Sequence, residues 1–301
     1  MTAISIQHLT KDYGNHRGIF DISFEIKEGQ VFGFLGPNGA GKTTTMRHLL
    51  GFIKPQSGSS TILNLDCWSQ SKEIQKHLGY LPAEIAFPEN MTGTQLIQHA
   101  AHMRGIRDMK RAQELLDMFD LDPSTQIKRM SKGMKQKVGI VCAFMHDPQV
   151  LILDEPTTGL DPLMQSVFVQ LIQQEKQKGK SILMSSHLFE EIEGTCDTIA
   201  IIKQGRIISV LDSQDFKQYD KTTFKLSFRN VQDFESIQKE DFSILEVHED
   251  QLQVIVEIED MKMNELISAL SKRDVSSIRE IKNSLEAYFM DFYKEGKYDH
   301  A

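Results

Sequence analysis

The chain has 301 residues, enough for one large α/β domain and a smaller one. Its composition, 40% hydrophobic and 25% charged, is that of a soluble globular protein, and no apolar run approaches the ~18–20 residues that cross a bilayer. A formal charge of −8 without a basic tract speaks against nucleic acid and against charge-driven docking on an anionic leaflet.

Met1-Thr2-Ala3-Ile4-Ser5-Ile6-Gln7-His8 lacks the basic start and apolar stretch of a signal peptide, so the chain is expected in the cytoplasm. Ile4/Ile6 and then Ile22/Phe24/Ile26 alternate as strands do, ahead of the turn Lys27-Glu28-Gly29. The apolar run Val31-Phe32-Gly33-Phe34-Leu35 suits a buried strand. It feeds Gly36-Pro37-Asn38-Gly39-Ala40-Gly41-Lys42-Thr43, a full G-x-x-x-x-G-K-[ST] match, and Lys42 to Leu50 can continue as a helix. Glycines let the backbone turn several N–H groups toward one point, and the helix start adds its positive end. Gly36 to Thr44 is therefore expected to cradle the phosphates of a nucleoside triphosphate. Lys42 would reach the β- and γ-phosphates, and Thr43 would place its hydroxyl on Mg²⁺.

Lys54-Pro55-Gln56-Ser57-Gly58 reads as a turn, and Thr92 to Asp120 as two helices broken near Gly105. Thr92 and Gln95 have the spacing of a helix start. Ser131 is a favoured N-cap for a helix from Gly133 to about His146. Val150-Leu151-Ile152-Leu153-Asp154-Glu155 is an apolar strand ending in two acids, which lie where ligands bind in open α/β sheets. Downstream of a P-loop, Asp154 would hold Mg²⁺ through its water shell, and Glu155 would orient and deprotonate the attacking water. Ser181-Ile182-Leu183-Met184 forms another strand leading to His187, which on its own reads as a hydrogen-bonded strand-end histidine. Cys67, Cys142 and Cys196 have no C-x-x-C spacing and read as free thiols without a metal site.

The pattern changes near Gln214. Thr222 to Arg229 and Gln251 to Ile258 alternate as two-faced strands, with helix-like segments between and after them, notably Lys262 to Ser271. Asn283 to Tyr293 carries apolar residues at helical spacing, namely Leu285, Tyr288, Phe289 and Phe292. No catalytic constellation occurs in residues 216–301.

Taken together these blocks resemble the ATP-binding cassette ATPase, the nucleotide-binding subunit of ABC transporters, over roughly residues 2–215. Met130-Ser131-Lys132-Gly133-Met134-Lys135-Gln136-Lys137 is similar to that family's signature sequence. Pro156-Thr157-Thr158-Gly159-Leu160-Asp161-Pro162 resembles its D-loop, and Ser185-Ser186-His187 resembles its switch-histidine segment. Tyr13, in Lys11-Asp12-Tyr13-Gly14, sits where the family stacks an aromatic on adenine. The resemblance implies a P-loop NTPase core with an antiparallel N-terminal β-subdomain and an α-helical insert at about residues 87–145, followed by a small α+β domain at 216–301. It implies ATP and Mg²⁺ as cofactors. Ser131, Gly133 and Asp161 would serve the γ-phosphate site of a partner chain, either a second copy or a paralogous cassette. His187 would contact the γ-phosphate and help orient the water. The helical insert would grip an integral membrane permease, placing the chain peripherally on the inner face of the cell membrane. Residues 216–301 resemble the extension of cassettes that pair with separately encoded permeases, often exporters of drugs, antibiotic peptides or ions.

Three positions depart from the family pattern. Ala83, after Leu78-Gly79-Tyr80-Leu81-Pro82, stands where a glutamine usually ligates Mg²⁺, and alanine has no donor or acceptor. Either Glu84 takes over, or water completes the metal shell and Glu84 is a solvent-facing loop acid. Lys132 replaces a glycine of the signature and Met134 its glutamine. The alternative class is a soluble cassette ATPase of translation or DNA maintenance. A single P-loop, the short separation of Lys42 from Ser131 and the acidic balance all disfavour it. A catalytically dead regulator is disfavoured by Glu155 and His187.

Overall fold

The computed structural model describes residues 1–186, 188–212, 221–259 and 262–281. His187 and the expected helix at 283–293 lie outside the described residues. The chain separates into two compact units, Met1–Ser213 and Gln214–Ala301.

In the first unit, continuous apolar runs become strands buried on both faces. They are β3 (Val31–Leu35), β7 (Val150–Asp154) and β8 (Ser181–Ser186), in which every residue is buried. With β6 (Leu78–Leu81), β9 (Thr198–Lys203) and β10 (Arg206–Asp212) they form a six-stranded sheet of order β10-β9-β3-β8-β7-β6. Its pairs are parallel except β10 with β9. Neighbours β9 and β8 flank β3, so the chain leaves β3 at the point where strand order reverses, the usual ligand crevice of such sheets.

The alternating N-terminal segments form β1 (Thr2–Asp12) and β2 (Gly18–Lys27). With β4 (Ser57–Ile62) and β5 (Leu65–Asp66) they make a four-stranded antiparallel sheet of order β2-β1-β4-β5. Phe24 of β2 stacks on Phe32 of β3 with ring centroids 4.8 Å apart, joining the two sheets in one core. The turn expected at residues 54–58 is shorter, because Ser57 and Gly58 already belong to β4. Gly58 has φ +82°, and a Cβ there would lie 2.3 Å from His8 O. The glycine is therefore needed for close strand approach, and that is a pairing requirement a turn signal does not reveal.

Helix α1 (Lys42–Leu49) follows β3, and α2 (Ser71–His77) precedes β6. The helical insert contains α3 (Gly93–Met103), α4 (Lys110–Met118) and α5 (Lys132–Phe144), with α3 and α4 packed on α5. Thr92 and Gln95 form the capping box that their spacing suggests, with Gln95 N donating to Thr92 Oγ1 at 3.2 Å and Thr92 N donating to Gln95 Oε1 at 2.9 Å. Helix α6 (Pro162–Gln177) leads to β8, and α7 (Phe189–Glu193) follows it. Arg111 of α4 reaches the buried Glu175 of α6 at 2.6 Å, fastening the insert to the sheet layer. Cys67, Cys142 and Cys196 are free thiols. No helix among the described residues is long and apolar enough to cross a membrane.

The second unit runs β11 (Lys221–Phe228), α8 (Val231–Ile237), β12 (Ser243–His248), β13 (Gln253–Glu259), α9 (Met263–Leu270) and β14 (Val275–Ile281). Its four-stranded sheet has the order β12-β13-β11-β14 with every pair antiparallel. This is the split βαβ arrangement of ferredoxin-like domains. Phe234, Leu266 and Leu270 of the helices pack with Leu226, Val254 and Val256 of the sheet. The α+β character expected for this stretch agrees. Strands β12 and β14 are added to the strands and helical segments legible in the sequence.

Candidate nucleotide-binding site

The turn between β3 and α1 is glycine-rich for two separate reasons. At Gly36 a Cβ would lie 2.4 Å from Ile202 O, so no side chain fits. At Gly41 the backbone adopts φ +115°, a conformation that side chains disfavour, and a Cβ would press on Ile19 at 2.8 Å. Among the described residues no side chain caps α1, and no acid stands in its first turn. The helix start therefore keeps N–H groups and positive charge for an external anion. Pro37, Asn38, Gly39, Gly41, Lys42, Thr43, Thr44 and Glu155 line a cavity of about 130 Å³ there.

Lys42 is 5% exposed, and its Nζ donates to Gly36 O at 2.5 Å and Pro37 O at 3.2 Å. It also lies 3.7 Å from Glu155 Oε1. Burial lowers its pKa, while the carboxylates of Glu155 and Asp154 act in the opposite direction. A buried ammonium beside a helix start is well prepared for phosphate oxygens.

Strand β7 delivers the two acids. Asp154 is 1% exposed and stands opposite Ser185 in the β7–β8 register. Its Oδ2 accepts from Thr43 Oγ1 at 2.7 Å, and its Oδ1 accepts from Ser185 Oγ at 2.5 Å. Glu155 then leaves the strand with φ +47°, a left-handed conformation that a non-glycine residue adopts only under local constraint. That turn aims its carboxylate at Lys42 and the cavity wall. Thr43, Asp154 and Glu155 offer only hard oxygen donors. They suit Mg²⁺, which typically takes one or two carboxylates and leaves the remaining corners to phosphates and water.

Ser131, Gly133 and Asp161 form a separate group. Ser131 caps α5 by accepting from Met134 N at 3.2 Å, and Asp161 caps α6 by accepting from Met164 N at 3.0 Å. A Cβ on Gly133 would lie 2.6 Å from Gly159 O, so the signature segment packs closely on the D-loop segment. Nearby, the buried Gln136 donates to Pro156 O at 2.7 Å. Tyr13 is 54% exposed, in a turn closed by a hydrogen bond from Tyr13 N to Arg17 O. Glu84 is exposed after β6, with no ion-pair partner among the described residues. His187 lies outside the described residues. On either side of it, Leu188 N donates to Ser186 Oγ at 2.9 Å, and Ser186 Oγ donates to Glu191 Oε2 at 2.7 Å. Glu191 also bonds Thr157 of the D-loop segment. Sequence reasoning missed the roles of Ser185, Gln136 and Glu191. For Ser185 the available signal was a small polar residue at a strand end; Gln136 sits between Lys135 and Lys137, and Glu191 is one of several acids in α7, so neither stands out in the sequence.

A P-loop at the sheet's switch point, with an acidic strand end hydrogen-bonded to its threonine, defines a P-loop nucleoside triphosphatase. The ABC transporter family model matches residues 19–158. The bacitracin transport ATP-binding protein of Bacillus licheniformis is 35% identical over 296 residues, covering 96% of each chain. The linearmycin resistance ATP-binding protein of Bacillus subtilis is 34% identical over 212 residues, covering 69% of this chain and 68% of that one. A solved ATP-binding subunit of an ABC transporter superposes with a TM-score of 0.65 at 30% identity, covering 72% of this chain and 92% of that one. The chain belongs to the ABC transporter family, as an ATP-binding and ATP-hydrolysing subunit.

Proposed function

We propose that the chain powers a membrane permease that exports a drug, an antibiotic peptide or an ion, with the Lys42 cavity as its hydrolytic centre. The observation that carries this reading is the contact of Thr43 with Asp154 at 2.7 Å beside the Lys42–Glu155 pair. It joins the phosphate loop to the carboxylate proposed for the metal, next to the candidate base. Among these, an antibiotic is supported by the near full-length match to a bacitracin transport subunit.

In this reading the backbone from Gly36 to Thr44 binds the triphosphate and Tyr13 lies against the adenine. Lys42 exchanges its carbonyl contacts for β- and γ-oxygens. Thr43 and Asp154 would hold Mg²⁺, with Glu84 or water at the corner that Ala83 cannot supply, in a place where it would offset phosphate charge. Glu155 orients the water and takes its proton, and His187 contacts the γ-phosphate. Ser131, Gly133 and Asp161 complete the site of a second cassette, so ATP joins two chains face to face. Hydrolysis lets them part, and the permease bound to the helical insert converts that motion into alternating access. Residues 1–215 are the ATP-binding domain and 216–301 an accessory one. The assembly sits on the inner face of the membrane through the permease.

Glu155→Gln keeps size and hydrogen-bonding capacity and removes the base. Equilibrium ATP binding should persist while turnover falls by about 10²–10⁴-fold, with an ATP-bound dimer accumulating on size exclusion. Hydrolysis at the wild-type rate would remove Glu155 from this role.

A further inference from the structure

We propose that Ser185 is a positioning residue for hydrolysis, setting both the metal carboxylate and the water-orienting carboxylate through one hydroxyl. This rests on the roles proposed above for Asp154 and Glu155. The Ser185 side chain is fully buried, and its Oγ has two bonds of opposite sense. It donates to Asp154 Oδ1 at 2.5 Å and accepts from the backbone N–H of Glu155 at 3.0 Å.

The two bonds act on different parts of the site. Asp154 has two carboxylate oxygens, each held by a hydroxyl. Thr43 belongs to the P-loop, and its hydroxyl is the group a P-loop offers to the metal, so its bond to Asp154 is exchangeable. The bond from Ser185 comes from the adjacent strand, from a residue that does not line the cavity, and holds the carboxylate's rotation whatever occupies the metal position. The second bond satisfies the N–H of a residue held at φ +47°. A left-handed non-glycine residue persists only where its surroundings over-determine it, and a buried acceptor for its N–H is such a determinant. That same backbone turn sends the Glu155 side chain toward Lys42 rather than along the strand. Ser185 faces Asp154 because β7 and β8 pair in parallel with Asp154 opposite Ser185. A one-residue slip would replace the hydroxyl with Met184 or with Ser186, which is committed to Glu191.

The test compares Ser185→Ala, Ser185→Cys and Ser185→Thr with Glu155→Gln and with the Ser185→Ala/Glu155→Gln double variant in the full chain. Cysteine is close to isosteric and a weak donor, so it keeps the packing while losing the bond. Turnover should fall about tenfold to hundredfold in the Ala and Cys variants, the range expected for a lost buried hydrogen bond to a charged group, and Thr should recover most of it. In the Glu155→Gln background, with Mg²⁺ saturating so that the Asp154 arm is masked, Ser185→Ala should cost less than about threefold, because the Glu155 carboxylate it positions is already gone. Manganese, used as a spectroscopic stand-in for Mg²⁺, should bind the ATP-loaded Ala and Cys variants about tenfold more weakly by electron paramagnetic resonance. ATP affinity in excess chelator should stay at the wild-type value. Wild-type turnover or wild-type manganese affinity in both the Ala and Cys variants would overturn the inference. So would a full additive loss in the double variant, or an equal loss of metal-free ATP affinity, either of which indicates a general packing defect. Wild-type hydrolysis in Glu155→Gln itself would instead reject the underlying role of Glu155.

Discussion

His146 should make the first unit less stable in mild acid, by an amount that the structure sets. Its ring follows α5, and its Nε2 faces Leu78 O at 3.0 Å. A carbonyl can only accept, so Nε2 carries the proton and Nδ1 is the bare nitrogen of the neutral ring. That Nδ1 is buried with no hydrogen-bond partner among the described residues. Burial first, and then the Arg104 guanidinium and Lys180, push the His146 pKa down to about 4 against the opposing pull of the Leu78 bond and Asp147. The unfolded chain, with an ordinary value of about 6.5, therefore takes up the proton before the folded chain does. The stabilisation is complete above about pH 6.5 and is lost as pH falls from there toward 4. Linkage gives about 2 kcal/mol between pH 7 and pH 5, and partial water access to the ring reduces this to about 1–2 kcal/mol. Trp68 is the single tryptophan and lies in the first unit, so its fluorescence follows that unit in urea. His146→Gln retains an amide donor for Leu78 O and cannot titrate. Between pH 7 and pH 5 the wild type should lose about 1–2 kcal/mol more than His146→Gln. Equal losses in the two proteins would refute the assignment of a neutral, poorly solvated ring.

Lys42→Ala should lose triphosphate binding itself, measured by calorimetry. Intact binding would count against the phosphate cradle. Glu84→Ala should raise the Mg²⁺ concentration needed for half-maximal hydrolysis severalfold, because losing a carboxylate ligand removes charge attraction for a hard cation. An unchanged midpoint would leave water at the Ala83 corner and Glu84 as a loop acid.

The parts of the fold that could be read from the sequence are those with a strong local cause. Three apolar runs had to be buried on both faces, and they became β3, β7 and β8. The Thr92–Gln95 box and the Ser131 cap are contacts within three residues of chain, so spacing reveals them. In the second unit, β12 and β14 lie at the sheet's two edges, where most side chains meet solvent and alternation is lost. The site divides along the same line. The P-loop and the two acids are contiguous motifs, whereas the role of Ser185 depends on a strand register with Asp154, 31 residues away in sequence. The left-handed turn at Glu155 is likewise a tertiary effect, since nothing in a glutamate's own preferences favours it.

The central claim is that ATP hydrolysis needs two chains, each completing the other's site, and mixing disabled chains tests it most directly. Lys42→Ala removes the phosphate cradle and Ser131→Arg blocks the α5 terminus, so each homodimer should be inactive. A mixed dimer of the two would retain one intact half-site. ATPase activity of the mixture clearly above that of either variant alone, together with ATP-dependent dimerisation that is lost in Ser131→Arg, is the predicted result. ATP-dependent dimerisation indifferent to Ser131, with no gain in activity on mixing, would contradict the account.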